Sequence, residues 1–367
     1  MNGGRVSALL SRMEGAGGIG TKYQGQTLIR HFGDPAEEYL AATERSAVFD
    51  RSHRSRLVVS GRAPGQMLNG ILSGQMPRAL MESDQGVFSS SATYHAVLTP
   101  KGKMLTDLWL ILLGDEETSG FLLDVPVAGE EPLLKNFGKL LPPRLAVVED
   151  ASDRLATITV VGPDSAEALS DLALGNKVTA EELCGLGEGE WCSIGSPAQS
   201  LLVMRTGDVW PEAYSVLGPT DLVTELWGAL VVGGAQPAGL GVWSTLRVEA
   251  GRPAFGTDMD NKTIPVEAGI ENRAIDHTKG CYTGQEVIVR IRDRGHVNRS
   301  LKRLELGDMP TPAKGQELFA NDGTERPVGW ITSAVESPRY GEVLALAYVK
   351  QGLETVILDG QEVAVPA

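Results

Sequence analysis

The sequence predicts an α+β protein, with two α/β subdomains forming one body and a small β-barrel closing the chain. Three observations predict it. Glycine, at 44 of 367 residues together with 20 prolines, calls for many turns between short elements. Strand-like and helix-like stretches alternate twice in a similar order before Gly295, and helical patterns stop after it. The length is more than twice the roughly 150 residues of a typical domain, so two or three units are expected.

The elements follow in order. Residues 1–20, MNGGRVSALLSRMEGAGGIG, hold a short amphipathic piece among glycines and read as a loosely docked lead-in outside the core. The first subdomain, 21–150, opens with the helical pattern EEYLAATERSAVFDRS, followed by the strand RLVVSG and the helix PGQMLNGIL. YHAVLTPKGKMLTDLWLILL then alternates as two strands about the turn Thr99–Gly102, a hairpin. The second subdomain, 151–295, repeats the order with the strand LATITVVG, the helix PDSAEALSDLAL, the strand SLLVMRTG and the helix DLVTELWGALVVGGA. No residue-level repeat accompanies it. From 296 to 367 the strands VNRSLKRLEL, PVGWITSAVES and EVLALAYVK make the barrel.

Composition narrows the function classes. Apolar residues at 42% and charged residues at 22% describe an ordinary folded chain. Apolar runs such as Leu108–Leu113 fall far short of the roughly 20 residues that span a bilayer, so no membrane partner is expected. Three cysteines, Cys184, Cys192 and Cys281, are an odd set for a disulfide framework and suit a reducing cytoplasm. With 33 basic residues against 47 acids the net charge is −14, which disfavours direct nucleic-acid binding.

Most local motifs have bland readings. Gly15-Ala-Gly17-Gly-Ile-Gly20 matches a dinucleotide-loop spacing but follows a helical stretch where a strand is needed. The five histidines are dispersed, and seven residues separate Cys184 from Cys192, so no metal site is expected and both cysteines read as small buried hydrophobes. Lys279-Gly-Cys-Tyr-Thr-Gly-Gln-Glu286 is different. Thr283 and Glu286 have capping-box spacing for a helix that ends in Arg290, Arg292 and Arg294 with Gly295 as its cap, although Val287-Ile-Val289 favours a strand. A helix there would put Cys281 just before its N-terminus, two residues from Lys279, and both features favour a thiolate. The competing reading is a tight turn through Gly280 and Gly284 in which the cysteine is incidental. From Lys279 to Arg303 seven basic residues face two acids, an island suited to an acidic partner, another anionic ligand or RNA, or simply a solvated helix end.

The octapeptide KGCYTGQE resembles the signature of the YgfZ family, folate-binding proteins related to the T protein, or aminomethyltransferase, of glycine cleavage. LRVEAGRPAFGTDMD resembles that superfamily's R-x-E-x-G-x-P segment and MRTGDVWPEAYSVLGP its R-T-G strand, with VFDRSHRSRLVVSG and TPKGKMLTDLWLI in the expected order. The resemblance implies a tetrahydrofolate-binding body of two α/β subdomains plus a C-terminal barrel. It makes Asp107, Glu212 and Arg247 the candidate folate contacts, and Cys281 the working thiol within the motif of Lys279, Gly280, Tyr282, Gly284, Gln285 and Glu286. T proteins usually carry two aspartates where this chain has Thr106-Asp107. The implied role is assistance to iron–sulfur cluster assembly or repair, and through it tRNA modification, with client proteins or assembly factors as partners. The alternative is aminomethyl transfer of the T-protein type.

Overall fold

The computed structural model describes residues 7–84, 86–114, 120–172, 178–196, 199–322 and 325–366. They divide into two compact units. The first comprises Met1–Asn69, Met76–Tyr94 and Leu108–Trp243; the second comprises Gly70–Gln75, His95–Asp107 and Ser244–Ala367.

An eight-stranded sheet organises the first unit. Its order is Gln236–Ala238, Ala47–Asp50, Leu155–Val161, Ala213–Pro219, Gln199–Arg205, Glu190–Ser196, Phe88–Ser91 and Met81–Glu82. Pairing is antiparallel except between the first two strands, which run parallel. The helix Thr220–Val232 buries Val223, Leu226, Trp227 and Leu230, a single stripe at helical spacing, in a core shared with Ile158, Val160, Tyr214 and Val216. In a second sheet Ser55–Ser60 lies antiparallel between Val147–Asp150 and Gly120–Val125.

Strands from both sides of residue 150 share the large sheet. Two local expectations change. SAVFD, read as the end of a helix, is the strand Ala47–Asp50, and the helix stops at Glu44. Ala47, Val48 and Phe49 are all buried, and a strand covered on both faces loses the alternation by which strands are recognised. The lead-in is not outside the core: Leu9, Leu10 and Met13, on and beside the helix Leu10–Gly15, pack into the main cluster. Gly15–Gly20 runs from this helix into the strand Ile19–Tyr23, the reverse of a dinucleotide loop. The helix expected from Pro163 spans Ser165–Ser170, and residues 173–177 lie outside the described part.

The second unit carries a six-stranded antiparallel sheet in the order Arg299–Glu305, Glu342–Lys350, Pro327–Ser337, Glu317–Phe319, Thr355–Leu358 and Gln361–Ala364. It encloses Leu304, Leu318, Ile331, Ala345, Ala347 and Val356 as a curled half-barrel, where the sequence predicts a small β-barrel. The register slips between Ile331 and Ser333, a bulge that brings two consecutive hydroxyls to one carboxylate: Thr332 Oγ1 and Ser333 Oγ each donate to Asp258 Oδ1 at 2.6 Å. Among the described residues no helix is long and apolar enough to cross a membrane.

Candidate functional site

The KGCYTGQE segment lies wholly in the second unit, after the short helix Glu271–Ala274, and its last two residues open the helix Gln285–Arg294. Its entry is held by Ser73, whose Oγ donates to Ala274 O at 2.6 Å while its carbonyl accepts from Asp276 N at 2.9 Å. Asp276 Oδ1 accepts from Thr278 N and from Thr278 Oγ1 at 2.8 and 2.6 Å, bonds that hold its carboxyl below the usual range. Lys279 turns back under the loop, and its Nζ donates to Leu72 O and Gly74 O at 2.7 and 2.8 Å. Past the cysteine, Thr283 N donates to Gly70 O at 3.2 Å. Cys281 is exposed between these points, while Tyr282 is buried with its ring 5.7 Å from Lys279 Nζ.

Burial sets the electrostatics of this anchorage. It pulls the Lys279 ammonium down to about 8, against the raising effect of Asp276. It pushes the Tyr282 phenol up to about 12. His95 is fully buried and lowered to about 3 by burial first and by the Lys279 charge second, so it is a neutral imidazole whose Nδ1 accepts from Gly74 N at 2.9 Å.

The helix after the motif forms, but not by the expected route. Gly284 is its N-cap, at φ +85° and with no side-chain cap, so the Thr283–Glu286 capping box is absent. A Cβ on Gly284 would lie 2.6 Å from Thr99 O, in the hairpin turn closed by Gly102 N donating to Thr99 O at 2.9 Å. Only glycine meets both demands. Gln285 begins the helix, and the Glu286 carboxylate accepts from Arg290 Nη2 at 2.6 Å instead of reaching back to the cap. Lys279, expected to favour a thiolate at Cys281, is spent on two carbonyls. Gly280 is exposed, and a Cβ there would meet nothing within 4 Å, so no close approach requires a glycine at this position.

The other cysteines differ from each other. Cys192 is buried as expected, its thiol pushed up to about 11 by burial; Cys184 is exposed, because it ends the short helix Ala180–Cys184 on the solvent side. The basic island is largely neutralised locally. Arg292 Nε pairs with Asp293 at 2.6 Å, Arg299 with Glu267 at 3.3 Å and Arg303 with Glu305 at 3.3 Å.

The three folate candidates fall apart into different settings. Asp107 is buried near the end of the hairpin in the second unit, and the neighbouring Thr106 hydroxyl donates to the Asp107 carbonyl at 2.8 Å. Arg247, also in the second unit, is buried in an ion pair with Asp258 Oδ2 at 2.7 Å and donates to Ser333 Oγ at 2.7 Å and to Arg252 O at 3.3 Å. Glu212 is in the first unit and accepts from Arg205 Nη2 at 2.8 Å. Ser73 and His95 were missed by sequence reasoning. A histidine inside the apolar strand YHAVL was the one signal for His95; nothing near Ser73 marks it.

Residues 17–279 match the family described as GCVT N-terminal domain, and residues 299–367 match the glycine cleavage T-protein C-terminal barrel domain. The chain belongs to the glycine cleavage T-protein family. An aminomethyltransferase of Corynebacterium jeikeium is 30% identical over 90% of this chain and 85% of its own length. One of Synechococcus elongatus is 28% identical over 97% of this chain and 90% of its own. A crystal structure of glycine cleavage system aminomethyltransferase T from Bartonella henselae has the same fold, with a TM-score of 0.80 over 99% of this chain and 96% of that one at 19% identity. T-protein family members bind tetrahydrofolate. These relatives bear out the superfamily and the fold expected from sequence; their names are aminomethyltransferases, not YgfZ.

Proposed function

We propose that this protein is a tetrahydrofolate-binding member of the T-protein family that works through the Cys281 thiol, in the YgfZ manner, assisting iron–sulfur cluster assembly or repair in client proteins. The observation that supports this reading is an exposed thiol on an anchored loop: Lys279 and Thr283 tie down both sides of Cys281 while its own side chain faces solvent. A thiol displayed in this way is open to a second macromolecule. Thr106 supports it too, since it stands where T proteins usually carry the first of two aspartates and its hydroxyl is engaged by a backbone carbonyl.

The fit to tetrahydrofolate is partial. Asp107 and Glu212 are carboxylates of the kind that accept from a pterin's amino and amide donors. Arg247 does not suit the glutamate tail, because its donors are already given to Asp258, Ser333 and Arg252. Bound tetrahydrofolate would supply a one-carbon acceptor. The chain's own contribution is the single thiol of Cys281, which as one ligand cannot hold a cluster that takes four, so the cluster is cargo shared with a partner.

The names of the relatives favour a second reading, aminomethyl transfer from a lipoyl-bound carrier to tetrahydrofolate. One pair of measurements separates them. Cys281→Ala is expected to abolish rescue of a cluster-dependent enzyme in vivo with folate affinity unchanged. Unchanged rescue, or rapid methylenetetrahydrofolate formation from the loaded carrier protein, would replace the first reading with the second.

A further inference from the structure

We propose that a cleft on the half-barrel is a binding site for a small anion carrying a flat aromatic ring, of nucleotide size. The cleft, about 500 Å³, lies within the second unit between the loop Gly256–Thr263 and the strand face that bears Arg299, Trp330 and Tyr348. That volume is within the range of small-molecule sites. None of these residues takes part in the function proposed above, and the inference does not rest on it.

The floor is an ordered platform. Trp330 and Tyr348 are direct partners across adjacent antiparallel strands, their rings 5.2 Å apart and inclined by 34°. Arg299, on the next strand, lays its guanidinium over both, 4.7 Å from the Trp330 ring and 5.1 Å from that of Tyr348. Its ion pair with Glu267, at 3.3 Å, is long, and about a third of its side chain remains exposed. A guanidinium held over aromatic rings makes a cationic, polarisable surface suited to a heteroaromatic anion.

The rim adds charge of the same sign. Lys262 is exposed, and its ammonium makes no hydrogen bond or ion pair among the described residues. Lys314 is tethered by Nζ to Thr257 O at 2.7 Å, which holds its charge at the mouth. Of the two acids in the lining, Asp258 is neutralised by Arg247 and Asp260 Oδ1 accepts from Lys262 N and Thr263 Oγ1. A net positive cleft on a chain of charge −14 selects anions locally.

Titration of the full chain with adenosine 5′-monophosphate, read by calorimetry and tryptophan fluorescence, tests the site. Saturable binding is expected, with Lys262→Gln and Trp330→Leu each weakening it about tenfold and added salt weakening it further. Adenosine, which lacks the charge, and inorganic phosphate, which lacks the ring, are expected to bind more weakly than the monophosphate. Absence of saturation by adenosine, guanosine and uridine monophosphates up to roughly 10 mM would overturn the proposal. So would wild-type affinity in Lys262→Gln, an exposed position where folding is not at stake, or displacement by tetrahydrofolate, which would make the cleft part of the folate site.

Discussion

At the scale of residues, the second unit keeps a neutral imidazole where water cannot reach it. His95 has its value lowered from 6.5 to about 3, so between those values the unfolded chain binds a proton that the folded one does not. Stability therefore falls as pH drops from 6.5 toward 3, by on the order of 5 kcal/mol if the whole shift is realised. Thermal unfolding of the wild type and of His95→Phe across this range checks it: the variant is expected to be less stable near neutrality but to show a shallower pH slope. Equal slopes would place the acid sensitivity elsewhere. The same scale shows where sequence reading stopped. The motif predicts that Lys279 acts on the Cys281 thiol, whereas the acceptors of its ammonium, Leu72 O and Gly74 O, lie more than 200 positions away in sequence, where no local pattern points to them.

At the scale of elements, two threonine–glutamate pairs of identical spacing behave differently. Thr179 and Glu182 form a reciprocal capping box, with Glu182 N donating to Thr179 Oγ1 at 3.2 Å and Thr179 N to Glu182 Oε2 at 2.7 Å. Thr283 and Glu286 do not, since the hairpin turn at Thr99 presses the backbone into a left-handed residue that only Gly284 can supply. Thr179→Ala should cost about 1 kcal/mol, whereas Thr283→Ala should stay within about 0.5 kcal/mol of wild type. Denaturant midpoints measure both; a larger loss at Thr283 would mean that its hydroxyl carries a role beyond the cap. Spacing reveals that a cap is possible, while the neighbour that decides it is tertiary. The strand Ala47–Asp50 was hidden for a related reason, since burial on both faces removes the period that sequence patterns report.

At the scale of the molecule, the superfamily, the α+β class and a C-terminal all-β unit were legible because long stretches keep the order and motifs of the T-protein family. The make-up of the two units from several stretches of the chain was not, because strand partners are chosen by packing that local patterns do not encode. The R-x-E motif shows how the second unit is fastened. Arg247 holds Asp258 and the bulged strand, while Glu249 accepts from Ser337 Oγ at 2.5 Å and its carbonyl from Arg303. Arg247→Met should destabilise by about 3–5 kcal/mol by stranding a buried carboxylate, and Asp258→Leu added to it should restore part of the loss. Chemical denaturation reads both; a mild effect of the single change would show that Thr332 and Ser333 suffice for Asp258.

The second unit is assembled from Gly70–Gln75, His95–Asp107 and everything after Trp243. On the ribosome its two early pieces emerge well over a hundred residues ahead of the segments that cover them, which at about 5–20 residues per second is a wait on the order of ten seconds. Until Lys279 has been made, the carbonyls of Leu72 and Gly74 wait without the ammonium that the finished fold gives them.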